Sequence, residues 1–511
     1  MDLGFTISAS TQQAIMIVFI LYTAIIVGLG AYVKFASRNE NSSQKLAGFL
    51  TGGGNLGSLA VGLIMVTNIM SSGGMVGGPG MSYGTGFIWS LCVFCSFINI
   101  FMSLGSVGKK MSILGRRTGA QTVLGLFRHR YQSKVFSTFL GLSFIIFLIP
   151  YSASQFTGGG RQFTGGGRLF AVVTGTGNYR IGVLLFAVIT LVYTLTGGIK
   201  SISKIAVFQG AIMIFSVISI YVVTGGAILE EYGSLQAAME FVQESKPSLL
   251  DATTWAPLYF IGTACVQSFA LIPLPHALMG TFTYNSSKTM KRAIIVGILG
   301  YTIIQFTMSG IGPLAYAVNP NVTTGDYVIP MLLSTLLPPA MAGIVIAGAV
   351  AAIQSTVAAF FIIIASTIVK DIYKTLVKPD MTMEEENKGN MIFTTLAAVV
   401  AIVFAMFPSE YLQTIVNFAI GGLASGFFFP LFFGLYWKKA TPAAGICGTI
   451  SGTLVYIVAS SVSSPIHPIL CALAVSGIGM LVVSQFTPKV KRGVFEVWFG
   501  EHYDERYAKI S

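Results

Sequence analysis

The sequence predicts an all-α polytopic membrane protein with thirteen transmembrane helices. Of its 511 residues, 54% are hydrophobic and only 9% are charged, which is too apolar for a soluble protein of this length. Many separate segments contain the run of about 18 largely apolar residues that a membrane-spanning helix needs. The stretch 70–80, MSSGGMVGGPG, lies at the end of one such segment and predicts a helix that is interrupted inside the bilayer.

The thirteen predicted spans alternate across the membrane. The first has only Asp2 as a preceding charge, so it lacks the basic region of a signal peptide and we expect it to be a true span. The approximate bounds of the spans are 14–33, 56–76, 84–105, 135–157, 182–198, 203–227, 256–279, 293–316, 339–369, 391–408, 411–436, 442–462 and 466–486.

Lysine and arginine residues predict the orientation of these spans. If the N-terminus is outside and the C-terminus is cytoplasmic, 26 of the 30 basic residues fall in inner segments and four in outer segments. Because cytoplasmic loops carry an excess of basic residues, this split predicts that orientation in the cell membrane. The net charge of +12 therefore follows the topology and does not indicate binding to nucleic acid.

Two groups of five spans form the centre of the predicted organisation. Since five is odd, the second group enters the membrane from the opposite side and forms an inverted repeat of the first. In the loop between them, the spacing of Leu235, Met239 and Val242 predicts a short surface helix. The predicted segments are a peripheral first helix with its inner loop (1–46), the first repeat (47–228), an acidic outer loop (229–255), the second repeat (256–437), two peripheral helices (438–487) and a basic cytoplasmic tail (488–511).

Two predicted helix breaks occupy matching positions in these repeats. Residues 70–80 include five glycines, two serines and a proline, a composition that interrupts a helix. Residues 271–276 of the seventh span, LIPLPH, contain two prolines that each remove a backbone donor. Interrupted helices at matching positions of two halves point to a transport site, where bare carbonyl groups face a bound ion or solute.

The missing acidic residues narrow the choice of coupling ion. All 18 aspartates and glutamates lie outside the predicted spans, whereas proton-driven carriers usually need a titratable group in the membrane. In the ninth span, the hydroxyls of Ser355 and Thr356 and the carbonyl of Ala352, one turn earlier, offer three neutral oxygens to a cation such as Na⁺. The alternative, that both hydroxyls bond back to carbonyls of the preceding turn, stays open at this point.

An exact duplication follows the fourth span, where the heptad QFTGGGR at 155–161 is repeated at 162–168. Seven residues are about two helical turns, so the insertion can extend this span outward with little change of face. The sequence does not predict a role for it.

Taken together, these stretches resemble the sodium:solute symporter family over nearly the whole chain. The resemblance implies the thirteen-span form of the LeuT-like fold, a 5+5 inverted repeat with discontinuous helices, and alternating access driven by Na⁺. The matching stretches are 77–89, 196–200 with Gln209, 275–276, 352–356, 370–373 and 434–438. By position, the resemblance assigns a sodium site to the carbonyls of Thr67, Met70 and Ala352 and the hydroxyls of Ser355 and Thr356.

Within the family the chain is most similar to the pantothenate branch, through residues 108–117, 130–133, 284–288 and 467–469. The proline branch has an acidic residue at Ile69 and aromatic residues at Gln267 and Leu271, and this chain has none of these. The chain departs from its relatives in the duplicated heptad and in Gly73 and Gly74, where relatives carry larger residues.

We therefore expect a secondary active transporter that couples Na⁺ influx to uptake of a small carboxylate, with pantothenate first. The alternatives are another small monocarboxylate or an amino acid such as proline, and, less favoured, a non-transporting sensor, because only 25 residues follow Phe486. The spans offer no cluster of charged or metal-binding residues that predicts an enzyme, and no obligate protein partner is evident. The residues expected to contact the solute are Ser71, Ser72 and Gly73 at the first break and Gln267, Phe269 and Leu271 on the seventh span.

Overall fold

Helices make up almost all of the ordered structure of this protein. The computed structural model describes residues 8–36, 56–165, 179–284, 286–407 and 412–500. Within these ranges the chain forms helices, turns and short connections, with no β-strand. The apolar segments of the sequence thus form a bundle of helices. Backbone polar groups are satisfied inside each helix, as a bilayer requires.

The first part of the chain forms seven helices. In chain order they are α1 (Ala9–Ala36), α2 (Ser58–Ile69), α3 (Gly73–Thr85), α4 (Phe87–Thr118), α5 (Val123–Tyr131), α6 (Lys134–Gly165) and α7 (Tyr179–Tyr232).

The second part of the chain contributes eleven more helices. They are α8 (Leu235–Ser245), α9 (Pro257–Gln267), α10 (Pro275–Met279), α11 (Ser287–Val318), α12 (Val328–Leu336), α13 (Pro339–Ser366), α14 (Met383–Ala405), α15 (Leu412–Tyr436), α16 (Pro442–Ser460), α17 (Pro468–Phe486) and α18 (Arg492–Phe499).

Eleven helices of the described chain are long and apolar enough to cross a membrane, and the bent pair α2 and α3 makes a twelfth. The predicted fifth and sixth spans are not separated, because α7 continues through both. Its 54 residues would extend about 81 Å if straight, more than twice the thickness of the hydrocarbon core. The count of thirteen spans therefore stays a prediction.

The break in the second span is real but shorter than the sequence predicts. Helix α2 ends at Ile69, Met70 is extended with φ −72° and ψ 116°, and the two half-helices meet at a bend of 64°. Residues 73–85 are helical again, beginning with a π-helical turn at Gly73–Gly77. Pro79 lies just after the junction of this π-helical turn with the following α-helical segment, and only Met70 and Ser71 leave the helix, because Ser72 already has φ −53° and ψ −33°.

The seventh span is interrupted three residues earlier than predicted. Helix α9 ends at Gln267, and Ser268 leaves helical geometry with φ −119° and ψ −80°. A single 3₁₀ turn, Phe269–Leu271, precedes Pro273, and the span resumes at Pro275 in α10. The structure therefore has a break in each of the two spans where the sequence predicts one.

The ninth span, α13, is the central helix of the bundle. Every residue from Val345 to Ser366 is buried, which fits a helix that is apolar on all sides. Its neighbours include α1, α6, α7 and α14, and Gly343 lies so close to α1 that a Cβ atom there would fall 2.8 Å from Val18 Cγ2. This position places Ser355 and Thr356 in the interior of the protein.

The loop between the two groups of spans contains the predicted surface helix. Helix α8 begins after Ser234, whose hydroxyl accepts a hydrogen bond from the N–H of Ala237 at 3.1 Å. Val242 is fully buried against Ile228 and Ala317, whereas Leu235 is exposed. The prediction of an amphipathic helix here is confirmed.

Candidate functional site

Five oxygen atoms converge between the first break and the ninth span. The Ser355 hydroxyl lies 2.8 Å from the carbonyl oxygen of Thr67 and 3.0 Å from that of Ala352. The Thr356 hydroxyl lies 2.9 Å from the Ala352 oxygen, 3.0 Å from that of Met70 and 3.2 Å from that of Thr67. The structure thus brings together all five residues that the family resemblance assigns to a sodium site.

Local helix geometry explains why these atoms meet. Ala352, Ser355 and Thr356 lie within one turn of α13 and share a face. Helix α2 ends just before Met70, so its last carbonyl groups have no partner in a following helical turn. The carbonyl end of a helix carries partial negative charge, and this is the end that meets α13.

The cluster contains more hydrogen-bond acceptors than protons. Its two hydroxyls supply two protons, whereas its three carbonyl oxygens offer two lone pairs each. Ser355 and Thr356 are fully buried, so bulk water does not reach them. The back-bonding alternative is present, because both hydroxyls also contact Ala352, but it coexists with the contacts to α2. A hard cation fits such a set of neutral oxygens.

A small chamber lies at the same break. Its volume of about 20 Å³ holds about one water molecule, so a solute fits only if the walls move apart. None of the lining side chains carries a charge. The lining residues are Ile69, Ser71, Gly73, Gly74, Trp89, Tyr151, Gln267, Leu271, Tyr301, Gln305, Gln413, Val416 and Ile420.

Four of the six residues expected to contact the solute line this chamber, namely Ser71, Gly73, Gln267 and Leu271. The other two do not, and the structure contradicts that expectation for their side chains. The Ser72 hydroxyl points to α6, where it donates to the carbonyl oxygen of Ser154 at 3.3 Å. Phe269 lies outside the chamber with 43% of its surface exposed.

The backbone N–H groups at the break are also not free to receive a carboxylate. The N–H of Ser72 donates to Oε1 of Gln155 at 2.8 Å, and the N–H of Gly73 donates to the hydroxyl of Ser71 at 3.2 Å. An anionic group of the solute would have to displace these acceptors or use other donors in the chamber.

Five residues of the chamber with polar groups were not among the predicted solute contacts: Trp89, Tyr151, Tyr301, Gln305 and Gln413. Gln305 and Gln413 lie within apolar spans, where an uncharged amide still carries a desolvation cost and therefore marks a position of interest. The Trp89 Nε1–H and the Gln413 Oε1 are buried and have no hydrogen-bond partner among the described residues. The chamber therefore presents one unused donor and one unused acceptor to a solute.

Two glycines at the break allow α15 to come close. A Cβ atom on Gly73 would lie 2.9 Å from both Oε1 of Gln413 and Cγ1 of Val416. A Cβ atom on Gly77 would lie 2.8 Å from the same Gln413 oxygen. A larger residue at Gly73 would not fit this arrangement without a shift of Gln413.

Three amide side chains lie between the chamber and a larger cavity, and we call them the amide latch: Gln267, Gln413 and Asn417. The Oδ1 of Asn417 accepts from Nε2 of Gln267 at 2.7 Å and from Nε2 of Gln413 at 2.8 Å. Gln267 and Gln413 line the chamber, whereas Asn417 lines a cavity of about 500 Å³ together with Tyr259 and His467. The latch thus joins the broken seventh span to α15 between the two spaces.

The C-terminal segment is a docked helix as far as it is described. Helix α18 places Nε1 of Trp498 3.0 Å from Nδ1 of His129, on α5. The buried guanidinium of Arg130 lies over the rings of Trp498 and Phe499 and donates to the carbonyl of Gly434 at 2.8 Å, near the C-terminal end of α15. Residues 501–511 of the predicted tail lie outside the described residues.

Comparison with known proteins now identifies the chain. The family described as the sodium:solute symporter family matches residues 49–452. The chain belongs to this family. Sodium:solute symporters couple a solute to Na⁺, so Na⁺ is the coupling ion, and the long apolar helices place this symporter in a membrane.

Individual relatives agree with this assignment. This symporter is 28% identical to a sodium/pantothenate symporter of Escherichia coli K12, over 94% of this chain and 98% of that protein. It is 27% identical to a sodium/proline symporter of Staphylococcus aureus RF122, over 94% of both chains. A solved structure of a Na⁺-coupled sialic acid symporter is 18% identical, with a TM-score of 0.76 over 94% of this chain and 99% of that one. The fold is therefore that of the LeuT-like transporters, with discontinuous helices.

Proposed function

We propose that this symporter takes up pantothenate together with Na⁺ by alternating access. Relatives named sodium/pantothenate symporters in Escherichia coli and Haemophilus influenzae match 94% and 92% of the chain at 28% and 29% identity. Residues 108–117, 130–133, 284–288 and 467–469 carry the resemblance to this branch, and all four stretches lie outside the cation cluster.

The observation that carries the coupling is the five-oxygen cluster. We propose that Na⁺ binds the carbonyl oxygens of Thr67, Met70 and Ala352 and the hydroxyl oxygens of Ser355 and Thr356. A cation at this point attracts oxygens of both α2 and α13, so it holds the first half-helix against the ninth span. Since Ser71 follows Met70 directly, the shape of the chamber depends on whether this contact is made.

The solute site is proposed to be the chamber in an expanded form. Pantothenate has a carboxylate, an amide and two hydroxyl groups, so it matches walls that offer the Trp89 donor, the Gln413 acceptor and further amides. Ser71, Gly73, Gln267 and Leu271 are the expected contacts from the sequence that line this space.

The orientation and the repeat boundaries complete the proposal. We place the N-terminus outside and the C-terminus in the cytoplasm of the cell membrane, because 26 of 30 basic residues then fall on the inner side. The two repeats are taken as 47–228 and 256–437, since the broken spans then occupy the same position in each. With this orientation the cavity beyond the amide latch faces outward and α18 lies inside.

The rival cargo is another small monocarboxylate or an amino acid such as proline, carried through the same cation site. Uptake of radiolabelled pantothenate into proteoliposomes decides between them. We expect uptake that requires an inward Na⁺ gradient, that a K⁺ gradient does not support, and that unlabelled pantothenate inhibits. If labelled pantothenate is not taken up but labelled proline or another acid of the panel is taken up with Na⁺, the proposed cargo is wrong while Na⁺ coupling stands. Uptake of pantothenate that ignores the Na⁺ gradient supports the cargo and contradicts the coupling.

A further inference from the structure

The fourth span also contacts the first break. Gln155, on α6, is fully buried, and its Oε1 lies 2.8 Å from the backbone nitrogen of Ser72. One residue earlier, the Ser154 carbonyl accepts from the Ser72 hydroxyl at 3.3 Å. These two contacts join residues more than 80 positions apart in the sequence.

The Gln155 side chain is itself held in place. Its Nε2 lies 3.3 Å from the Ser154 hydroxyl and 3.4 Å from the carbonyl oxygen of Tyr151, one turn earlier on α6. The amide therefore has its donors bonded to its own helix and its acceptor directed at the break. Such an arrangement fixes which end of the amide faces Ser72.

The hydrogen bond from the Ser72 N–H to Gln155 satisfies a backbone donor that the break leaves without a partner. Ser72 is the residue before the π-helical turn that begins α3, and the first N–H groups of a helix have no partner within it. A buried N–H without a partner is destabilising, and a side-chain oxygen at this point removes that penalty as an N-cap does. Gln155 thus takes the role of a capping residue supplied from another span.

Neither Gln155 nor Ser72 lines the chamber, so this contact acts on the solute site through the backbone. Ser72 lies between Met70, whose carbonyl belongs to the cation cluster, and Gly73, which lines the chamber. An acceptor that fixes the direction of the backbone at Ser72 therefore also restrains Met70 and Gly73.

We propose that Gln155 is a positioning residue that sets the geometry of the break and thereby couples cation affinity to solute affinity. This inference rests on the proposed function, because it takes the break as the shared border of both sites. It also gives a role to the first copy of the duplicated heptad, whose first residue is Gln155.

Two variants separate the acceptor from the shape of the side chain. Gln155→Met keeps the length and removes the amide oxygen, whereas Gln155→Glu, which burial keeps protonated, keeps an acceptor for the Ser72 N–H and places an O–H where the Nε2 donor was. We expect Gln155→Met to weaken binding of ²²Na⁺ to the purified protein and to raise the solute KM, each by about tenfold, the loss that corresponds to one hydrogen bond to a buried group. The Glu variant should stay within about threefold of the wild type.

Binding of ²²Na⁺ is measured without solute, so it tests the role of Gln155 even if pantothenate is not the cargo. Uptake of pantothenate by the wild-type protein in the same preparation tests the cargo separately. A purely structural role would reduce the amount of folded protein without shifting either half-saturation value. If Gln155→Met leaves both values unchanged, or if the Glu variant loses as much as the Met variant, the proposal is overturned. Should the Met variant not accumulate, Gln155→Asn, whose oxygen is one methylene short, replaces it in the same comparison.

Discussion

The hydroxyl of Thr356 lies 3.0 Å from the carbonyl oxygen of Met70, and this contact joins the ninth span to the end of the first half-helix. We expect Ser355→Ala combined with Thr356→Ala to raise the Na⁺ concentration for half-maximal uptake at least tenfold, because two of five ligands are removed. A matched control is Ser366→Ala, on the same helix, since its buried hydroxyl bonds only back to Ile363 at 3.1 Å. Na⁺ titration of uptake makes the comparison. Unchanged sodium dependence in the double variant would refute the cation site.

The amide latch predicts how the chamber is closed from the outer cavity. Asn417→Ala removes the oxygen that accepts from Gln267 and Gln413, two bonds worth about 0.5–1.5 kcal/mol each. We therefore expect a cysteine placed at Ser71 to react about tenfold faster with a membrane-impermeant thiol reagent in the Asn417→Ala background.

The control for the latch is Ser463→Ala, which alters the wall of the same outer cavity at an exposed position away from the three amides. It should leave the reaction rate at Ser71→Cys unchanged. Equal rates with and without Asn417→Ala would show that the three amides do not limit access to the chamber.

The close approach at Gly73 predicts a steric effect with an internal control. Gly73→Ala places a methyl group 2.9 Å from Gln413 and Val416, and overpacking of this kind costs about 1–3 kcal/mol. Uptake should fall by about tenfold or more. Gly84→Ala, on the same half-helix, meets no atom within 4 Å and should transport normally with equal or higher thermal stability. If both variants behave alike, the packing of α15 against the break does not limit the cycle.

The contact between His129 and Trp498 predicts that acid releases α18. Burial lowers the pKa of His129 below its ordinary value of 6.5, so the undocked histidine takes up a proton more readily than the docked one. Docking is therefore at full strength above about pH 6.5 and weakens as the pH falls through and below that value. Protonation of Nδ1 also removes the acceptor for the Trp498 N–H.

Hydrogen exchange of the α18 amides, corrected for its intrinsic pH dependence, measures this release. Exchange in α18 should quicken between pH 7.5 and about 5.5 in the wild type. His129→Gln, which keeps an acceptor but does not titrate, should flatten the dependence. His467→Gln should not, because His467 lines the cavity of about 500 Å³ and not the contact between α18 and His129. A pH dependence that survives His129→Gln would assign it to another group.

The cation cluster was predictable because its parts are local in sequence. Ser355, Thr356 and Ala352 lie within five residues of each other, and helix periodicity alone places them on one face. The carbonyls of Thr67 and Met70 came only from the family resemblance, since backbone carbonyl groups leave no signature in composition.

The orientation of side chains at the breaks was not predictable in the same way. Whether Ser72 faces the chamber or α6 depends on the dihedral angles of Met70 and on Gln155, 83 positions away in the chain. Phe269 was expected on the chamber wall, but it follows the break at Ser268, where the chain leaves helical geometry, and its side chain is exposed. The extent of the first break was overestimated because glycines that disfavour an α-helix still permit a π-helical turn.

Two amides of the chamber, Gln305 and Gln413, and Asn417 of the amide latch were not predicted, because each lies in a span that is apolar on average. Their signal in the sequence is the amide itself, since a polar side chain inside a membrane span is costly and often functional.

The uncharged lining of the chamber determines how far the membrane potential drives transport by the loaded symporter. None of the described side chains that line the chamber carries a charge, so in the proposed cycle the charge that crosses the membrane is that of Na⁺ and the solute. Each net unit of charge moved is worth about 2.3 kcal/mol per 100 mV of membrane potential. A zwitterion carried with one Na⁺ would move one net positive charge, so the full membrane potential would drive its uptake. A monoanion travelling with one Na⁺ would feel none, so its accumulation would rest on the sodium concentration ratio alone unless a second cation accompanied it.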